Sequence, residues 1–342
     1  MPEGHSVHRL ARQFQDVFGG AELAVSSPQG RFAAGAGLLD GRILERAQAH
    51  GKQLFLHFSH DRVLRVHLGL YGAWSFGGDS TFTGASSIGA PRRVGETELR
   101  GGASSGSPAG PGASADPSSS ADPSADAAPP PPQGAVRVRL VSAHGWADLR
   151  GPTACEVISP AEAVAALAKL GPDPLHNEPG DGEEFARRIR SSSTSIALQL
   201  MKQDVLAGVG NIYRAETLFR RGLNPTLPGR SLQQEEALAL WADVAAIMAD
   251  GVHDGTIITT ELPERPSGLG AAVGHGLAAA TTAASGTAAA GAALPCGNSQ
   301  VPREEAHYVY KREKLPCRRC GTALAVTLLA ARKLYWCPSC QS

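Results

Sequence analysis

Six cysteines occur in the chain, and four of them fall in its last 26 residues: Cys317-Arg-Arg-Cys320 and, 16 residues on, Cys337-Pro-Ser-Cys340. Two C-x-x-C knuckles at this spacing suit four thiolates around one tetrahedral Zn²⁺, and with every position filled by sulfur such a site is structural. Two disulfides are the alternative. Cys155 and Cys296 stand outside the pattern. The stretch 311–333 carries Lys311, Arg312, Lys314, Arg318, Arg319, Arg332 and Lys333 against only Glu313. Seven cations to one anion on a small metal-held unit favour phosphate binding; a solvated polar face is the bland reading. At the other end, Met1 is followed by Pro2 and Glu3. Removal of Met1 exposes a secondary amine, and an α-amine titrates at about 7.7–8.0. A neutral secondary amine attacks carbonyl-like carbon and gives a cationic iminium, with Glu3 beside it as an acid. A frayed terminus is the ordinary reading of the same residues.

A third feature is the Gly208-Val-Gly210-Asn211 break between two helical stretches in QDVLAGVGNIYRAETLF (203–219). The glycines permit positive φ and close backbone approach. Asn211 falls at the start of the second helix, and amide plus helix N-terminus make a phosphate cradle. An ordinary glycine turn with an Asn cap fits equally well.

The elements that must position these groups follow from periodicity. Val7, Leu10, Phe14 and Val17 predict an amphipathic helix over 4–18, stopped by Gly19-Gly20. LFLHF (54–58) and VLRVHLGL (63–70), separated by the polar turn His60-Asp61-Arg62, predict strands, as do VRVRLVS (136–142) and WADLRG (146–151). Between them, 101–134 holds no Val, Ile, Leu or aromatic residue. It has too little apolar surface to offset the entropy of ordering, so 78–134 reads as a disordered insertion joining two strands of one sheet. Beyond Gly171-Pro172-Asp173-Pro174 the pattern turns helical at 183–190, 196–202, 212–221 and 232–250, the last with Ser231 and Gln234 as a capping box. A second low-complexity stretch, rich in Ala and Gly, occupies 266–299. The expected domains are therefore 1–155 (β), 156–265 (helical), 266–300 (insertion) and 301–342 (metal module), an α+β multidomain chain. Lys+Arg and Asp+Glu both number 32, which excludes a uniformly basic coat but not a local basic face. No run approaches the roughly 18 apolar residues of a membrane span. Residues 1–14 carry charge where a signal peptide needs its apolar run, so a cytoplasmic protein is expected.

Taken in order, MPEGH, GKQLFLHF with Lys52, HLGLYG (67–72), ADLRGP (147–152), QDVLAGVGNIYRAE (203–216) and CRRC…ARKLYWCPSCQ resemble one family. It is the formamidopyrimidine-DNA glycosylase/endonuclease VIII family of base-excision repair. MPEGH and GLYG look more like the endonuclease VIII branch, in particular its second actinobacterial type. The resemblance covers the chain except the two low-complexity stretches. It implies an N-terminal β-sandwich with an N-terminal helix, a helix–two-turn–helix domain and a C-terminal four-cysteine zinc-finger hairpin. It further implies a bifunctional DNA glycosylase/AP lyase, excising oxidised bases, pyrimidines by preference, and cutting abasic sites by β/δ-elimination. Pro2 is then the nucleophile at C1′, and Glu3 the proton donor that helps open the sugar. Lys52 contacts phosphate and serves β-elimination; Arg332 binds phosphate and is tied to δ-elimination. Asn211 grips phosphates, Leu70 and Tyr71 fill the gap left by the flipped base, and Arg150 faces the opposite base. One structural Zn²⁺ sits on Cys317, Cys320, Cys337 and Cys340. The implied partner is damaged or abasic DNA, met by a monomer with no membrane. Ser6 and Lys202 depart from the family's usual Glu and Asp. The competing reading is a DNA-binding protein on the same scaffold with little or no excision; a zinc-ribbon transcription factor leaves Pro2-Glu3 and Lys52 unexplained.

Overall fold

The computed structural model describes residues 2–90, 129–265 and 301–342. Most of the insertion expected over 78–134, all of that over 266–300, and Cys296 lie outside the described residues. The chain divides into two compact units: residues 6–168 with Pro2, and residues 169–342 with Glu3–His5.

The first unit is a β-sandwich covered by α1 (Gly4–Phe18). Its strands are β1 (Glu22–Ser26), β2 (Arg42–His50), β3 (Gln53–Phe58), β4 (Arg62–His67), β5 (Ala73–Gly78), β6 (Ser87–Gly89), β7 (Val136–Val141), β8 (Gly145–Arg150) and β9 (Ala154–Ile158), with α2 (Ala33–Leu39) between β1 and β2 and α3 (Pro160–Leu167) after β9. The order across the sheet is β6-β5-β8-β7-β1-β2-β3-β4-β9, antiparallel throughout. The apolar stripe of α1 is buried as its spacing requires: Val7, Leu10 and Phe14 are at most 1 % exposed, and the Phe14 ring meets Trp74 edge-on at 4.7 Å. The β3–β4 connection is the three residues Ser59, His60 and Asp61 between the paired Phe58 and Arg62, the last two at positive φ.

Three expectations are corrected here. Residues 78–90, expected within the insertion, are part of the first unit. Ser87–Gly89 pairs with β5, and Gln13 of α1 holds Ala85 through both backbone groups at 2.8 and 2.9 Å. The first unit ends at 168, not 155, because β9 completes the sheet on β4 and Ala163 of α3 packs on Phe55 and Val63. The strand expected over 63–70 stops at His67, because Gly69 turns the chain at φ +67°.

The second unit contains α4 (Asp181–Arg190), α5 (Ile196–Gln199), α6 (Asn211–Arg220) and α7 (Gln234–Asp254), then the hairpin β10 (Ala325–Leu329)–β11 (Arg332–Trp336). The metal module is not a separate body: Cys317, Leu324, Leu334, Tyr335 and Cys337 share one apolar cluster with Phe219, Leu240 and Tyr308. The cap of α7 also differs from expectation. Ser231 lies in a 3₁₀ turn, Leu232 is buried, and the Gln233 N–H donates to Glu236 at 2.8 Å instead. Burying Leu232 moves the first helical turn two residues along.

The tip of the β10–β11 hairpin is Ala330-Ala331, both at positive φ (48° and 59°). Each costs an L-residue with a Cβ about 1–2 kcal/mol, and Asn-Gly is the favoured pair for such a turn. Ala330→Asn with Ala331→Gly should raise Tm by a few degrees in a thermal melt of the zinc-loaded protein. An unchanged or lower Tm would show that the tip is not strained.

Candidate active site

Glu3 is fully buried, and its carboxylate accepts backbone N–H bonds at the start of α6: Gly210 at 2.9 Å, Ile212 at 2.9 Å and Tyr213 at 3.4 Å. Helix N-termini offer unpaired donors and a positive dipole end, which is why an anion is stable there. The approach depends on three glycines. A Cβ on Gly210 would stand 2.5 Å from the Glu3 carboxyl carbon, and one on Gly4 would stand 2.9 Å from Gly208 Cα; the Gly4 N–H donates to the Gly208 carbonyl at 2.9 Å. The Gly-x-Gly-Asn turn expected to cradle a phosphate therefore cradles Glu3. This pins the backbone one residue after Pro2, itself buried. Tyr213 closes the far side; burial, and next the Glu3 charge, push its phenol well above the usual range.

Asn211 does not cap α6, since Gly210 holds that position. Its Nδ2 donates to the Lys333 carbonyl at 2.9 Å, and its Oδ1 accepts from the guanidinium of Arg214. Both ends of this carboxamide are thus bonded within the protein and tie α6 to the zinc hairpin beside Arg332. Arg214 went unnoticed in the sequence. It is fully buried, and burial, then the neighbouring Arg332 charge, pull its pKa down to about 10. Nothing in the residue pattern of α6 sets it apart, since Asn211, Glu216 and Thr217 are buried on the same helix.

In the first unit Lys52 lies in the tight β2–β3 turn after Gly51, which takes φ +57°. The next residue, Gln53, pairs with His67 across β3–β4. Burial, then Lys52 and Arg65, lower the His67 pKa, so its imidazole is neutral at pH 7. In the sequence His67 is one more strand residue; strand register is what sets it beside Lys52.

Leu70 and Tyr71 are exposed, Tyr71 at 81 %, on the short loop from β4 to β5. Gly69 and Gly72 make that loop: a Cβ on Gly69 would meet Thr153 Oγ1 at 1.7 Å and one on Gly72 the Leu68 carbonyl at 2.3 Å. Arg150 is not presented in the same way. It donates to Ser75 Oγ at 3.0 Å, Asp148 at 3.3 Å and the Gln133 carbonyl at 2.6 Å, and the same Asp148 is held by the buried Arg139 at 2.7 Å. The buried Asp148 on the same strand, with Ser75 and Gln133, holds the Arg150 guanidinium against the sheet.

The cysteines do converge. Sγ–Sγ separations are 3.8 Å for Cys317–Cys340 and 3.4 Å for Cys320–Cys337, and all four sulfurs lie within 4.8 Å of one another. Tetrahedral zinc with bonds of about 2.3 Å requires sulfurs about 3.8 Å apart, so the four residues fit one structural Zn²⁺. Gln341 anchors the second knuckle, accepting from the Cys337 N–H at 2.9 Å and donating to the Leu223 carbonyl at 3.0 Å.

The chain matches three family descriptions: the formamidopyrimidine-DNA glycosylase N-terminal domain over residues 1–140, the formamidopyrimidine-DNA glycosylase H2TH domain over 170–262, and a zinc finger found in FPG and IleRS over 314–342. It is 38 % identical over 342 residues, all of both chains, to the Mycobacterium tuberculosis protein named Endonuclease 8 1. This chain belongs to the formamidopyrimidine-DNA glycosylase/endonuclease VIII family. The Thermus thermophilus formamidopyrimidine-DNA glycosylase is 32 % identical over 182 residues, 52 % of this chain and 55 % of that one. The crystal structure of the MutM (Fpg) protein from that organism superposes with a TM-score of 0.64 at 23 % identity, covering 99 % and 98 % of the two chains. Lactococcus lactis Fpg bound to abasic-site DNA shares the fold at the same TM-score and 17 % identity, over 99 % of each chain. The full-length mycobacterial relatives carry the number 1, where the MPEGH and GLYG motifs had suggested a second type.

The expectation that the zinc hairpin and Arg332 meet DNA separates two variant effects. Cys337→Ser should release zinc and disorganise the hairpin, so DNA affinity falls although no cysteine meets DNA. Arg332→Ala should keep one zinc per chain and still weaken binding, with the log–log salt slope shallower by about one. Metal analysis and fluorescence anisotropy check both; Arg332→Ala with wild-type affinity would remove this residue from the interface.

Proposed function

We propose that this chain removes oxidised pyrimidines from DNA through Pro2 and then cuts the abasic site. Its family consists of DNA glycosylases with AP lyase activity in base-excision repair. The Pro2 nitrogen forms a bond to C1′ as the glycosidic bond breaks, and the base leaves with a proton. Glu3 supplies the proton that opens the sugar. Loss of the C2′ proton from the iminium expels the 3′ phosphate; a second elimination expels the 5′ phosphate. Lys52, with the neutral His67 at its side, steadies phosphate on the first unit and Arg332 does so on the second. Leu70 and Tyr71, exposed on their glycine-framed loop, occupy the space vacated by the extruded base. Asn211 acts one step back, orienting the strand that carries Arg332. Zinc, when bound, holds the hairpin. The protein works as a monomer on nucleoid DNA in the cytoplasm; among the described residues no helix is long and apolar enough to cross a membrane.

The observation that carries this reading is the Glu3 carboxylate fixed by three N–H donors, because it sets the chain at the proposed nucleophile. The pyrimidine preference rests on the MPEGH and GLYG motifs and on full-length similarity to proteins named Endonuclease 8 1. The test is borohydride reduction on duplexes carrying an abasic site, an oxidised pyrimidine or an oxidised purine. Covalent complexes on the first two, and little on the third, are expected. DNA binding without any cross-link would support the scaffold-only alternative.

A further inference from the structure

Of the seven cations between 311 and 333, four are engaged within the protein. Arg312 donates to the carbonyls of Tyr308 and Pro316, and Arg318 to those of His307 and Glu304. Arg319 stacks over Phe219 and Tyr308, each at 5.0 Å, and pairs with Glu264 at 3.1 Å. Lys333 faces Glu313 at 3.6 Å. Lys311 and Lys314 are exposed, and among the described residues neither forms an ion pair.

Both lysines also stand where lysine is costly. Their φ values are +57° and +66°. The Arg312 N–H reaches the Val309 carbonyl and the Leu315 N–H the Arg312 carbonyl, each at 3.1 Å, so two successive four-residue turns each place a lysine third. With positive φ at that position, such turns favour glycine or asparagine. Lysine gains nothing local in return: unlike Asn177 or Asp61, it has no short polar group to bond its own backbone. Strain of this kind persists where the surroundings or the function require it. The turns are well anchored. Lys311 Nζ lies 5.7 Å from the centre of the Tyr310 ring, Tyr310 meets Tyr335 of β11 edge-on at 5.3 Å, and the Lys314 N–H donates to Leu324 at 2.9 Å. The aromatic pair joins the first turn to the strand that begins with Arg332.

We propose that Lys311 and Lys314 are DNA-phosphate contacts, extending the Arg332 site along the strand backbone. This rests on the reading of the zinc module as a DNA-binding surface. A glycine at either position relieves the backbone and removes the charge, so stability and affinity should move in opposite directions.

The experiment uses the full-length, zinc-loaded protein and a duplex with a non-cleavable tetrahydrofuran abasic analogue. Lys311→Gly, Lys314→Gly and the double variant are compared with wild type, with Arg332→Ala and with Lys169→Gln, a surface charge loss elsewhere. Each glycine variant should raise Tm by about 1–3 °C. Each should weaken binding about fivefold to tenfold at 0.1 M salt and make the log–log salt slope shallower by about 0.9, with Lys169→Gln near wild type. A raised Tm with unchanged affinity and slope, while Arg332→Ala binds weakly, would overturn the proposal and leave the DNA-binding module standing. Wild-type binding in all four, Arg332→Ala included, would overturn both. A lowered Tm would overturn the strain argument that singles out these lysines.

Discussion

A chain that keeps Met1, for example behind an uncleaved N-terminal tag, should give no borohydride-stable cross-link with abasic DNA. The loss should be to background on a denaturing gel, because an amide nitrogen at Pro2 has no lone pair to offer C1′. Pro2→Gly should retain partial trapping. It preserves an amine, yet a primary amine yields a neutral imine that must be protonated before it serves as an electron sink, and glycine loosens the terminus. Both variants should bind the abasic duplex close to wild type, so chemistry and binding are read apart. Trapping by a tagged protein whose Met1 is verified by mass spectrometry would transfer the nucleophile to another amine, Lys52 being the first to examine.

Glu3→Gln should lose base excision by about 100-fold or more, the scale of a positioned proton donor. Part of the strand cutting at preformed abasic sites should survive, since there the base is already gone. The structure adds a second consequence. Both carboxylate oxygens accept N–H bonds, Oε2 from Gly210 and Tyr213 and Oε1 from Ile212. A carboxamide can match one side only and turns an NH₂ toward a donor on the other. An orphaned buried donor costs about 1–3 kcal/mol, and the charge at the helix N-terminus is lost as well. Tm should therefore fall together with excision. Equal loss of both activities, or excision lost with no change in Tm, would contradict the placement of Glu3 described above.

Much of the architecture was legible because it rests on local rules. The α1 stripe, the strands flanking His60-Asp61 and the two cysteine knuckles each follow from spacing within some twenty residues. Legibility failed where a distant partner decided the outcome. Nothing local in WADLRG shows that Asp148, Ser75 and Gln133 hold the Arg150 guanidinium. Ser87–Gly89 lies in a weakly patterned stretch, and only pairing with β5 makes it a strand.

Residue types and short spacings by themselves determined the four sulfurs for one zinc and the excess of cations around them, and they nominate Pro2 as the proposed amine and Glu3 as the proposed acid. Only the tertiary structure decided how each group is used. Glu3 reaches across 207 positions to Gly210, and Asn211 across 122 to Lys333. Contacts of that range depend on how packed elements converge, and no periodicity along the chain encodes them. Hence the glycine turn that looked like a phosphate cradle holds a carboxylate of the same chain, and four cations of the basic stretch are spent inside the fold. The physical reason is that buried donors and charges must find partners wherever folding brings them.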